Sequence, residues 1–103
     1  EFVKIMVHNG LDSPMCHYGV LWAIGYLGPD YYDEVAPFLP KLEKFLDNKN
    51  DELRGLAVWA LKALQYKPAF DKINAMAEDE AVAWIYEDGI LQQKTIRQII
   101  NEG

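Results

Sequence analysis

Residues 19–28 read GVLWAIGYLG, and residues 56–65 read LAVWALKALQ. Laying Trp22 over Trp59, a shift of 37 positions, also sets Val20 over Ala57, Ala23 over Ala60, Ile24 over Leu61 and Leu27 over Leu64. Positions 16, 20, 23, 24 and 27 follow the i, i+4, i+7, i+8 rhythm of one buried helix face, as do 53, 57, 60, 61 and 64. The first copy opens on Ser13-Pro14, a capping residue followed by proline at the first helical position. The second opens on Asn50-Asp51-Glu52, a cap with acids in the positive first turn. Two helices written in one phrase predict a structural repeat.

Each copy is preceded by another apolar stripe. Leu39, Leu42, Phe45 and Leu46 precede the second, Phe2, Ile5 and Met6 precede the first, and Phe70, Ile73, Met76 and Ala77 follow the second. A helix pair of this length cannot bury its apolar face alone, so neighbours must stack. The pattern predicts an all-α chain, an α-α solenoid of about two and a half repeats. Residues 1–28 form the first repeat, 31–66 the second, 69–80 a third helix A and 81–103 a cap, all within a single domain 1–103.

The stretch Leu46-Asp47 to Asp51-Glu52-Leu53-Arg54-Gly55-Leu56-Ala57-Val58-Trp59-Ala60-Leu61 resembles a HEAT-like repeat of the phycobilisome-lyase type. The first copy keeps Asp12, an alanine in its second helix and a closing Leu27-Gly28, and has His17 where that family carries Arg. The resemblance covers residues 2–77. It implies a superhelix in which loop acids Asp12 and Asp47 bond to Arg54. It also implies that Trp22 and Trp59 stand on the concave side, where the family carries polar residues. HEAT-like hydroxylases hold two irons through paired His-Glu dipeptides, and this chain has none.

The last quarter breaks the rhythm. Residues 81–91, AVAWIYEDGIL, are rich in aromatic and β-branched residues around Asp88-Gly89, a preferred two-residue hairpin turn. Thr95 then stands as the cap of a helix carrying Ile96, Ile99 and Ile100. These residues predict a β-hairpin and a short helix closing the stack; a degenerate third helix B through Trp84 is the rival reading.

Composition narrows the function classes. The formal net charge is −6, from ten Lys and Arg against sixteen Asp and Glu, and the bases are scattered singly. Nucleic-acid binding needs a basic surface to neutralise phosphates, so DNA and RNA are poor partners for this chain. The apolar stretches are too short to span a bilayer. A lone Cys16 excludes an internal disulfide and fits a reducing cytoplasm, and the opening without an initiator Met reads as a piece of a longer protein. No P-loop, GxSxG or GxGxxG motif is present, and Glu78-Asp79-Glu80 and Glu87-Asp88 read as solvated loop acids. His8, Cys16 and His17 are the only soft or imidazole ligands, and the neighbouring Cys16 and His17 point about 100° apart on a helix. No metal site and no cofactor is expected.

What remains is a stripe of rings. Tyr18, Trp22 and Tyr26 lie at i, i+4 and i+8, and Trp59 continues that face on the second copy. A covered tryptophan buries about 150–250 Å², worth about 4–6 kcal/mol at 25 cal/mol per Å². Some cover is therefore expected: a protein partner with a basic rim, the chain's own Trp84 and Tyr86, or a small molecule. The reading is a cytoplasmic protein–protein interaction module or accessory scaffold using Tyr18, Trp22, Tyr26 and Trp59. The alternative is a small lyase-like or cofactor-holding protein with His17 as the titrating group of its groove. A homodimer through Phe2, Ile5 and Met6 is a further expectation.

Overall fold

Proline and capping chemistry set the helix boundaries in the computed structural model, which describes residues 9–11, 16–87 and 89–102. Helix α1 spans His17–Leu27. The stripe before the second copy is broken rather than continuous: α2, Tyr32–Val35, passes into a 3-10 turn, Ala36–Phe38, then α3, Leu39–Lys44, then a second 3-10 turn, Phe45–Asp47. Pro37 and Pro40 each sit in the first turn of a new segment, because a proline ring clashes with the carbonyl four residues back. Leu39, Leu42 and Leu46 still turn into the core.

Helix α4, Asp51–Ala63, is the longest described element. Asn50 caps it, its Oδ1 accepting from the amides of Glu52 (2.9 Å) and Leu53 (3.3 Å). It ends where Gln65 turns left-handed at φ +54° and the Tyr66 amide donates to Leu61 O at 3.0 Å, a helix stop usually given to glycine. A 3-10 turn, Lys67–Ala69, leads into α5, Phe70–Asn74. Strands β1, Val82–Glu87, and β2, Ile90–Thr95, pair antiparallel with Glu87 opposite Ile90, and Gly89 takes φ +77° between them. Helix α6, Ile96–Asn101, starts from a reciprocal capping box between Thr95 and Gln98.

The expected α-α solenoid is overturned. In a solenoid each repeat touches only its neighbours, whereas here α4 is a hub. Leu53, Gly55, Leu56, Ala57, Val58, Ala60 and Leu61 are all buried on it, so it is covered on more than one side. One side meets α1 and the 3-10 turn before it; another receives β1 and α6. The hairpin then reaches back to α1, where the Trp22 Nε1 donates to Tyr86 O at 3.0 Å across 64 residues. The result measures 37 × 28 × 25 Å with a Cα radius of gyration of 12.5 Å, close to the ~13 Å of a globular chain of this length. It is a mixed fold, helical with a C-terminal hairpin. That hairpin and the helix after it stand where the sequence predicts them.

A missing side chain makes the closure possible. A Cβ on Gly55 would stand 2.4 Å from Ala83 Cβ, so the hairpin settles directly on the α4 backbone. Ala83, Ile85, Ile96 and Ile99 are buried there. Each large apolar side chain covered this way contributes about 1.5–3 kcal/mol. Phe2, Ile5, Met6, His8, Asp12, Ser13, Pro14 and Asp88, which enter the sequence expectations, lie outside the described residues.

Candidate functional site

Helical spacing brings three of the four predicted rings together. Trp22 stacks on Tyr26 with centroids 5.0 Å apart and planes 10° from parallel. Tyr86 meets Trp22 edge-on at 5.9 Å. Tyr18 Oη accepts from Asn50 Nδ2 at 2.7 Å, so the residue that caps α4 also anchors the first ring of α1.

The hairpin extends this face instead of hiding it. Its inner side puts Ala83 and Ile85 into the core, and by strand alternation Val82, Trp84 and Tyr86 point the other way. Tyr18, Trp22, Leu56, Trp84, Tyr86 and Leu91 line an open groove of about 590 Å³ between α1 and the hairpin. Its lining stays wet, with Leu91 56 % exposed and Trp84 48 %, and Tyr26, stacked on Trp22 outside the lining, is 62 % exposed. Glu52 reaches into the same place and accepts from the Trp84 amide at 2.6 Å.

Trp59 is not part of that groove. Its ring lies across α1 at Gly25, where a Cβ would stand 2.3 Å from Cζ3. It lines a separate cavity of about 570 Å³ with Lys62, Phe70, Ile73, Ile99 and Ile100. Lys62 donates from Nζ to Ile99 O at 2.8 Å and Ile100 O at 2.5 Å, closing the C-terminal end of α6. Burial lowers the Lys62 pKa, partly offset by the charge of Glu102.

Three residue roles differ from expectation. Arg54 does not bond Asp47. Its Nε meets Asp79 Oδ2 at 2.9 Å, its Nη2 meets Asp51 Oδ1 at 3.1 Å and its Nη1 meets Asn48 O at 2.8 Å, while Asp47 pairs with Lys72. Asp79 is therefore no solvated loop acid: it also accepts from the Ala81 amide at 2.9 Å and fixes the entry to the hairpin. Burial works to raise the Asp79 carboxyl. The hydrogen bonds from Arg54 and the Ala81 amide, with the Arg54 charge, outweigh it and hold the group below its ordinary value. The second difference is Cys16, which is exposed and not a core residue. The third is His17, which lines neither cavity: its Nε2 lies 3.0 Å from Leu11 O and its ring stands edge-on to Phe45 at 4.9 Å.

Glu52, Leu56 and Leu91 belong to the groove without having been singled out in the sequence. Leu91 carries a readable signal, since a strand starting after Asp88-Gly89 places it opposite Tyr86. Glu52 carries none, because only the docked hairpin brings the Trp84 amide to it. Among the described residues no three His, Cys, Asp or Glu stand together in a way that would hold a metal ion. No described helix is long and apolar enough to cross a membrane. Comparison with protein-family models, with curated proteins and with solved structures finds no match to this chain.

Proposed function

We propose that this chain is a protein–protein interaction module whose contact face is the aromatic groove between α1 and the hairpin. The observation that carries the reading is the continuity of exposed rings across two elements: Tyr18 and Tyr26 from α1, Trp84 and Tyr86 from β1, with Trp22 between them. Tyrosine and tryptophan offer large rigid area with a polar tip, the combination found at binding hot spots. The face is preorganised, because Asn50, Glu52 and Trp22 each tie a groove element to its neighbour by a hydrogen bond. Preorganisation spares a binding event the cost of ordering these side chains. With six more acids than bases, the partner is basic around its contact site and is not a nucleic acid. A cytoplasmic setting goes with this reading, since Cys16 is a free thiol.

The test is a photo-crosslink. Replacing Tyr26 with a benzophenone amino acid should trap a second polypeptide of different sequence in cells. That polypeptide, purified, should bind the wild-type chain at least tenfold more tightly than Trp22→Ala, about 1.4 kcal/mol. Equal affinities for the two would overturn the assignment of this face.

A further inference from the structure

The hairpin has two edges, and among the described residues only one is closed. On β1 the Trp84 amide is taken by Glu52 and the Tyr86 carbonyl by Trp22, so the backbones of Trp84 and Tyr86 face away from β2. In an antiparallel ladder, residues opposite each other share this property. The register sets Trp84 against Gln93 and Tyr86 against Leu91. The N–H and C=O groups of Leu91 and Gln93 therefore point off the outer edge of β2. Thr95, next in the same alternation, has its amide taken by Gln98 Oε1 at 2.8 Å. Among the described residues nothing meets the other two, and both are exposed.

Natural sheets protect such edges with charge, proline, a bulge or a covering element. None stands here. Lys94 is the one charged residue of β2, and it points to the inner side, paired with Glu102 at 2.6 Å with 13 % of its side chain exposed. The outer side carries Leu91 and Gln93, and Leu91 adjoins the groove. An edge left open beside an exposed apolar face is the arrangement used for strand addition, in which main-chain bonds give affinity and alternate side chains give specificity.

We propose that the partner docks by strand addition, laying an extended basic segment along β2 so that its backbone pairs with Leu91 and Gln93. Its alternate apolar side chains then continue the outer face next to Leu91, with Tyr86 and Trp84 one strand further in. This rests on the reading of the aromatic groove as the contact face. A second copy of this chain is the wrong occupant, because each copy carries a net charge of −6 and like charges oppose the pairing. A segment alternating Lys with an apolar residue meets both the charge and the period-two geometry.

The probe is the blocked heptapeptide KVKVKVK, added to the whole chain at low salt while amide hydrogen exchange is followed by NMR. Protection of the Leu91 and Gln93 amides by at least tenfold is expected. The same peptide with all its backbone amides N-methylated should give none, and EVEVEVE should bind at least tenfold more weakly. Gln93→Pro should abolish binding, since it removes an N–H that points off the edge and leaves the β1–β2 ladder intact. The N-methylated peptide tests the same point on the wild-type chain if that variant does not fold. Absence of protection at millimolar peptide, or equal binding of the N-methylated form, overturns strand addition. Binding lost in Trp22→Ala but kept in Gln93→Pro would overturn it while leaving the groove as the contact face.

Discussion

Helices α1 and α4 are written in one phrase and meet opposite fates. At the position where α1 carries Tyr18, exposed, α4 carries Gly55, buried beneath Ala83. One step on, Gly19 of α1 has nothing within 4 Å of where a Cβ would stand, and Leu56 of α4 is 4 % exposed. The inner positions agree: Val20 with Ala57, and Ile24 with Leu61, are buried in both. The two copies share the face they turn to the core and differ at Tyr18 and Gly55, where the hairpin covers only α4. What separates the helix buried on several sides from the half-open one here is which of them the C-terminal strand covers.

The difference can be broken most strongly at Leu56. Truncating it to alanine should cost about 3 kcal/mol, the ordinary loss for a buried leucine, seen as a lower urea midpoint with little change in slope. A loss below about 1 kcal/mol would mean that the hairpin does not seat on α4 as described.

Asp79→Ala is next in size. Removing the partner of Arg54 and of the Ala81 amide should destabilise by about 2 kcal/mol at neutral pH. Its pH signature follows from the lowered folded value. An acid whose pKa falls on folding contributes in full above its unfolded value, near pH 4, and loses the contribution as pH drops through the folded value. The stability gap between wild type and Asp79→Ala should therefore narrow as pH falls below about 4. A gap that stays constant down to pH 2 would show that the Arg54–Asp79 pair does not hold the hairpin entry.

The smallest effects make the sharpest contrast, because one substitution changes sign between the copies. Gly55→Ala forces a methyl to within 2.4 Å of Ala83 Cβ, and should destabilise by about 1–2 kcal/mol. Gly19→Ala meets open space on a helix, and should stabilise by about 0.5–1 kcal/mol. Thermal melts of the two variants should move in opposite directions. Shifts of the same sign would erase the distinction between the covered and the open copy.

Local chemistry was legible wherever the partner lies nearby in sequence. Asn50 and Thr95 cap the helices they precede, Gly89 turns the hairpin, and the i, i+4, i+8 spacing puts Tyr18, Trp22 and Tyr26 on one face. The same reasoning failed where two elements far apart in the chain compete for a residue. Arg54 faced several acids of equal chemical merit, and Asp79, 25 positions away, won because the turn into β1 delivers it to the guanidinium. Trp59 shares its place in the phrase with Trp22, yet it packs on Gly25 and borders the other cavity.

The repeat in the sequence determined that Val20, Ile24, Ala57 and Leu61 turn into the core, since a 3.6-residue period and apolar volume act without regard to the rest of the chain. It did not determine how many sides each helix would bury. That was decided by the hairpin, which settles on the helix offering a bare backbone at Gly55 and leaves Tyr18, at the matching position of the other helix, exposed. Periodicity is a property of one element, whereas burial is a property of everything that reaches it.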